Sequence, residues 1–144
     1  MAAEYTGGYL FGAVRYRATA EPLVVTHCHC TLCQKESGAA FVTWAAFPKE
    51  SFAFTEGTPG AYWATDKAER TFCSACGGTL TFVHVESADQ VDVAAGSLDD
   101  PGAIRPKDHI WDSSRISWTH MDDGLPRATP ASAENRRQQA AAAR

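Results

Sequence analysis

The five cysteines of this 144-residue chain are the residues best suited to chemistry, and they form two groups. Cys28, Cys30 and Cys33 lie in HCHCTLC, and Cys73 and Cys76 lie in CSACGG. An odd number of cysteines suits a disulfide framework poorly, whereas clustered thiols are typical of metal sites. Because zinc favours about four soft ligands in a tetrahedral arrangement, the clustering predicts that the cofactor is zinc.

The spacing allows two arrangements of the ligands. Two C-x2-C pairs, Cys30 with Cys33 and Cys73 with Cys76, could close one structural site of four thiolates and leave Cys28 spare. Alternatively, Cys28, Cys30 and Cys33 supply three ligands from one C-x-C-x2-C loop. The fourth position is then open for water or a substrate thiol, which distinguishes a catalytic zinc from a structural one. A mixed site, with Cys73 and Cys76 leaning toward the first loop, is a further possibility.

Histidines beside the first cysteine group are the next candidates. His27 and His29 flank Cys28, where they either orient a thiolate or simply alternate along a strand, and we favour the strand interpretation. His109 and Asp112 in HIWD are candidates for moving a proton, although a lone histidine beside a tryptophan is more often a packed surface group.

The composition narrows the class of protein. A hydrophobic fraction of 44% and a charged fraction of 21% are ordinary for one globular domain. The net charge of −4 and the absence of a Lys/Arg cluster argue against nucleic acid as a partner. No segment approaches the roughly 20 apolar residues that span a bilayer, and no secretion leader is evident, so we expect a cytoplasmic protein without a membrane partner.

Short strands must position these residues. Aromatic and β-branched residues recur between turn signals at intervals of about 8 to 12 residues, a pattern typical of an all-β sandwich or barrel. One helical turn is expected at 33–37, ended by Gly38, and the segment after Pro130 has helix-forming residues but no apolar stripe. We therefore expect one domain over residues 1–126 and a tail or short surface helix over 127–144. The predicted strands cover 9–17, 23–26, 41–47, 52–54, 62–63, 70–72, 78–85, 90–95 and 109–111.

Several stretches together resemble the glutathione-dependent formaldehyde-activating enzyme (GFA) family, which includes the centromere protein V domain. They span roughly residues 6–125 and are more specific together than any single C-x2-C loop. The resemblance implies a mainly β, zinc-containing β-tent of two antiparallel sheets. The stretches are GAVRY at 12–16, HCHCTLCQKESGAAFVTWAAF at 27–47, ERTFCSACGG at 69–78, GSLDDP at 96–101 and HIW at 109–111.

The resemblance also implies roles for the cysteines. In that family a C-x-C-x2-C loop binds the catalytic zinc, and every position of the loop is matched here, by Cys28, Cys30 and Cys33. A second, structural zinc in the family uses a later C-x2-C, matched by Cys73 and Cys76, together with an earlier C-x-C. Tyr9 and Phe11 occupy the positions of that earlier pair. We therefore expect one zinc rather than two, with the two aromatic side chains packed into the space that the second metal would fill.

The resemblance implies a zinc-dependent carbon–sulfur lyase that acts on a thiol–aldehyde adduct such as S-hydroxymethylglutathione. The partner would then be a small thiol substrate, such as a glutathione adduct. The alternative is a non-catalytic binding module that zinc only stabilises, because a fold does not fix a function. The sequence leaves the substrate, the general acid or base and the oligomeric state open.

Overall fold

The computed structural model describes residues 3–128, and strands dominate them. A single α-helix is found in this part of the chain, and short 3-10 turns connect several strands. The strands are β1 (Tyr5–Gly8), β2 (Arg15–Ala18), β3 (Val24–Cys28), β4 (Val42–Pro48), β5 (Phe52–Glu56), β6 (Gly60–Thr65), β7 (Ala68–Phe72), β8 (Thr79–His84), β9 (Gln90–Ala94) and β10 (His109–Ile110), and the helix is α1 (Thr31–Ser37).

The strands form two sheets, which confirms the mainly β prediction. One has the order β1-β2-β5 and the other the order β10-β3-β4-β9-β8-β7-β6. Every pair is antiparallel except β10 with β3, which is parallel, so the expectation of two wholly antiparallel sheets is wrong for this pair. The reason is the long connection after β9, which lets β10 reach the edge beside β3 in the same direction rather than by a hairpin.

The main core is built from inward-facing side chains of both sheets. Tyr16 of the smaller sheet and Phe47, Leu80 and Val93 of the larger one are almost completely buried in one cluster. Burial of such side chains stabilises a fold by about 1.5–3 kcal/mol each. A second, smaller cluster contains Cys28, Cys33, Trp44 and Ile110, so the first cysteine group lies in its own packed region.

The segment 9–17 differs from the prediction of one continuous strand. Residues 9–14 form a connection between β1 and β2, in which the Gly12 N–H donates to the Tyr9 carbonyl at 2.8 Å. Gly12 has a φ of +65°, a conformation that favours glycine and that the strand-forming neighbours concealed. Tyr9 packs against the main core, whereas Phe11 is 73% exposed, so the expectation that both aromatics are packed holds only for Tyr9.

The helix α1 confirms the expected turn and begins two residues before it. The Cys30 side chain caps its first turn, and Gly38 ends it with a φ of +70° while donating its N–H to the Gln34 carbonyl at 2.8 Å. This glycine cap is a frequent way to satisfy the last carbonyls of a helix.

The remaining sequence predictions fall partly outside the described residues. The predicted C-terminal tail or helix lies there from residue 129 onward, while the Ala128 N–H still donates to the His109 carbonyl at 2.7 Å. Within residues 3–128, no helix is both long and apolar enough to cross a membrane.

Candidate metal centre and adjoining cavity

Three thiols converge where β3 meets α1. Cys28 is the last residue of β3, Cys30 caps the helix, and Cys33 lies in the first helical turn. Their sulfur atoms all lie within 4.8 Å of one another, and those of Cys28 and Cys33 are 3.6 Å apart. The strand end and the capped helix therefore bring together the three residues that the C-x-C-x2-C spacing singled out, in an arrangement that could hold a metal ion.

Hydrogen-bond donors surround these sulfurs. The Cys33 N–H donates to the Cys30 Sγ at 3.3 Å, and the Trp44 indole N–H donates to the Cys33 Sγ at 3.4 Å. Hydrogen bonds from Cys28 and Cys33 lower the pKa of the Cys30 thiol to about 3, and the same contacts raise the pKa of Cys28. The cluster therefore readily carries one negative charge, and a soft cation is the partner that would let the other thiols ionise.

A buried ion pair adjoins the cluster, and the sequence analysis did not identify it. Arg70 on β7 is 2% exposed and lies 3.5 Å from a carboxylate oxygen of Glu36 on α1. Its guanidinium also lies over the rings of Trp44 and Phe82, at 5.7 and 4.9 Å from their centroids, and an Nη reaches within 3.9 Å of the Cys33 Sγ. The signal in the sequence was an arginine at an inward position of a predicted strand.

A cavity of about 490 Å³ opens beside the three thiols. This volume is within the range of small-molecule sites, roughly 300–1,000 Å³. Aromatic, aliphatic and polar groups share the wall, so the cavity can enclose a small polar molecule against the sulfurs. Its lining comprises Cys28, Cys30, Thr31, Leu32, Cys33, Trp44, Thr65, Asp66, Lys67, Ala68, Arg70, Phe82, His84, Trp111 and Ser114.

The second cysteine pair lies apart from this cluster. Cys73 is buried and Cys76 is exposed, and among the described residues neither joins a group of three metal-binding side chains, so the structure does not bring all five cysteines to one site. Burial opposes ionisation of Cys73, but hydrogen bonds from the Ala75 and Cys76 backbone and from the Cys76 thiol lower its pKa. A metal role for this pair stays a prediction.

Tyr9 fills space beside the second pair. A Cβ placed on Gly78 would lie 2.5 Å from the Tyr9 ring, so the ring packs directly on this backbone. Burial raises the pKa of the Tyr9 phenol far above its ordinary value, which keeps it neutral. The side chain that stands where the resemblance placed a cysteine thus acts as a packing residue.

The two predicted histidines beside Cys28 lie outside the cavity wall and join His109. The His29 Nε2 is 2.8 Å from the His109 Nδ1. On the other side of the same ring, the His109 Nε2 is 2.7 Å from a carboxylate oxygen of Asp123. Burial, followed by the His109 charge, lowers the pKa of His29 to about 4. Among the described residues, the cavity lining includes neither His109 nor Asp112, the two predicted proton carriers; Asp112 pairs instead with arginines on its own loop.

Comparison with known proteins agrees with this architecture. An uncharacterized lyase of Schizosaccharomyces pombe is 33% identical over 81 residues, which is 56% of this chain and 58% of that protein, so the chain spans less than two thirds of its relative. A crystal structure of a Rhodobacter sphaeroides protein superposes with a TM-score of 0.57 at 19% identity, over 85% of this chain and 99% of that one, and shows the same fold. Residues 4–114 match the family described as glutathione-dependent formaldehyde-activating enzyme, and the chain belongs to that family.

Proposed function

We propose that the protein is a zinc-dependent carbon–sulfur lyase that acts on a thiol–aldehyde adduct such as S-hydroxymethylglutathione. The observation that carries the proposal is the convergence of Cys28, Cys30 and Cys33 at the wall of a cavity. Family membership supports the class of substrate, and the relative named a lyase supports the class of reaction.

The chemistry of the three donors fits zinc. Thiolates are soft ligands, and the hydrogen bonds from the Cys33 backbone and the Trp44 indole favour their charged form. When bound, zinc would supply a Lewis acid that holds the sulfur of a substrate thiol. Within residues 3–128 the three thiols are joined by no fourth ligand, whether histidine, cysteine or carboxylate. This favours a metal site that is open to a substrate over the closed site of a binding module.

The residues of the cavity would bind and orient the adduct. Trp44, Phe82 and Trp111 offer apolar walls, while Thr31 and Ser114 offer hydroxyl groups to a polar substrate. These walls exclude bulk water from one side of the reacting carbon, because most of a ligand's surface is buried in a site of this size.

Cleavage of the adduct needs a base for one proton. The electron pair of the hydroxyl O–H bond becomes the second bond of the aldehyde carbonyl. The carbon–sulfur bond breaks, and the sulfur leaves with the electron pair of the carbon–sulfur bond. His84 lines the cavity, but its Nδ1 accepts the Glu86 N–H at 3.2 Å, so its neutral ring carries its proton on Nε2 and does not serve as the base. The hydroxyl proton can pass to the departing thiolate, which returns the thiol and leaves the protein unchanged.

The test is the exchange rate between S-hydroxymethylglutathione and its components, glutathione and formaldehyde, measured by NMR exchange spectroscopy on protein of known zinc content. Cys30→Ser should remove a ligand and abolish the enzyme-dependent exchange. Cys76→Ser is the matched control, because this exposed cysteine lies outside the cluster, and it should leave the exchange unchanged.

Two results would end the proposal. One is full exchange by Cys30→Ser protein that holds no zinc. The other is X-ray absorption that shows four protein sulfurs around the metal at about 2.3 Å, because a closed site belongs to the binding module.

A further inference from the structure

We propose that His27, His109 and Asp123 form a second binding site for a divalent transition metal. Successive side chains of a strand point to opposite faces, so His27 lies on the other face of β3 from its neighbour Cys28. The proposed site therefore uses none of the cysteines, and it stands whether or not the lyase proposal does.

Three donor atoms converge in this cluster. One nitrogen of His27, one of His109 and a carboxylate oxygen of Asp123 all lie within 4.8 Å of one another. The His109 Nε2 and the Asp123 Oδ2 are 2.7 Å apart, a hydrogen-bond distance. Ligands about 2.0–2.2 Å from a tetrahedral metal are roughly 3.4 Å apart. A small outward rotation of the Asp123 side chain, which is 26% exposed and lies in a loop, would open that space.

The hydrogen bonds around the two imidazoles show which protons a metal would displace. The His27 Nδ1 lies 2.7 Å from the Thr43 hydroxyl, and the His109 Nδ1 lies 2.8 Å from the His29 Nε2. The His27 Nε2 lone pair is free if its Nδ1 donates to Thr43, whereas the His109 Nε2 donates its proton to the Asp123 carboxylate at 2.7 Å. A metal would displace that proton, and the His109 N–H would then sit on Nδ1 and donate to the His29 Nε2. Metal-binding histidines almost always donate their second N–H in this way, which fixes the tautomer and the ring orientation.

Ring packing holds the ligands in place before any metal arrives. His109 is fully buried and stacks on His29 with ring centroids 5.1 Å apart, while His27 meets the edge of Phe41 at 5.2 Å. His29 is a positioning residue here, because it contacts His109 and not the proposed metal. Rigid, preoriented ligands reduce the entropy that metal binding costs.

The donor set selects the class of metal. Two imidazoles and one carboxylate suit zinc, iron(II), cobalt(II) or nickel(II), whereas calcium and magnesium prefer oxygen ligands throughout. Three protein ligands leave a position open on the side of Asp123, the member of the site that reaches solvent.

The experiment is a cobalt(II) and zinc(II) titration of the full chain and of two variants. Asp123→Asn removes a charged ligand but keeps an oxygen that can accept the hydrogen bond from His109. Asp122→Asn is the matched control, because it removes the neighbouring exposed carboxylate. Asp123→Asn should weaken one class of metal site by about tenfold or more, while Asp122→Asn changes nothing. The sulfur-to-cobalt charge-transfer band, which reports cysteine ligands and not the proposed histidine site, should be the same in all three proteins.

Histidine nitrogen NMR gives a readout that does not depend on a variant. Zinc(II) should shift the Nε2 resonances of His27 and His109, with Nδ1 protonated on both rings in the zinc-bound form. The proposal is overturned if these resonances do not move at saturating zinc(II), or if Asp123→Asn binds metal as Asp122→Asn does. If Asp123→Asn fails to fold, the nitrogen resonances of the unaltered protein decide.

Discussion

Replacing Arg70 by methionine tests whether the cavity wall depends on its buried ion pair. Methionine keeps an unbranched apolar stem, but it removes the guanidinium that faces Glu36 and lies over Trp44 and Phe82. The Glu36 carboxylate, only 13% exposed, then keeps the hydrogen bond that the Thr79 hydroxyl donates to it.

The expected loss of stability comes from the Glu36 charge, which stays buried without its partner. Removing one partner of a buried pair destabilises a protein by about 3–5 kcal/mol, whereas removing both partners is often close to neutral. Arg70→Met should therefore lower the free energy of unfolding by that amount, and Arg70→Met with Glu36→Gln should recover most of it. The Lys67 and Glu86 pair, 3.9 Å apart and much more exposed, provides the control, and Lys67→Met should cost about 0–1 kcal/mol.

The pH dependence adds an internal check. Burial raises the pKa of the Glu36 carboxyl and the Arg70 charge lowers it, so the pKa rises further in Arg70→Met. A carboxyl with a raised folded-state pKa binds more protons in the folded state, so it loses stability as pH rises through that pKa. The loss of unfolding free energy caused by Arg70→Met should therefore be smaller at pH 5 than at pH 8.

The assay is urea unfolding followed by tryptophan fluorescence, with a chelator present so that metal affinity does not enter the comparison. A cost below about 1 kcal/mol for Arg70→Met would contradict the reasoning. An equal loss in the double variant would do so as well, because the penalty would then not come from the unpaired Glu36.

One titration and two substitutions probe the scaffold. The hydrogen bonds from Arg15, then from Thr6, lower the pKa of Asp99 to about 2, so its carboxyl NMR resonance should titrate there, and the stability that this shift provides should be lost as pH falls from about 4 toward 2. Gly78→Ala should cost about 1–3 kcal/mol in urea unfolding, because the new Cβ meets the Tyr9 ring, and a Tyr9→Leu background should reduce that cost. Gly38→Ala should lower the free energy of unfolding by about 1 kcal/mol through the positive φ alone, because a Cβ there meets no atom within 4 Å. An unchanged stability in thermal unfolding would contradict this.

The first cysteine cluster was predictable because it is local. Cys28, Cys30 and Cys33 are within six residues, and a strand end followed by a capped helix is enough to aim their sulfurs at one point. The strand pattern was predictable for the same reason, since alternation and turn residues act over a few positions. The connection at 9–14 was missed because strand propensity dominated over a single glycine.

The other parts of the site depend on pairing between distant strands. Arg70 reaches Glu36 only because β7 and α1 pack together, and Asp123 reaches His109 through a loop near the end of the described chain. Spacing along the chain carries no information about such contacts. His109 was a candidate proton carrier from its place in HIWD, and for the same reason its neighbours in sequence did not show that it lies outside the cavity lining.

The parallel pairing of β10 with β3 makes the order of folding matter. His29 and His109 meet although 80 residues separate them, and closing so long a loop is slow compared with forming a hairpin. A nascent chain that ends before β10 would already contain all five cysteines, yet it would lack Trp111 from the cavity wall and His109 from the histidine cluster. During synthesis the thiols therefore become available to metal before the pocket that would make them selective exists.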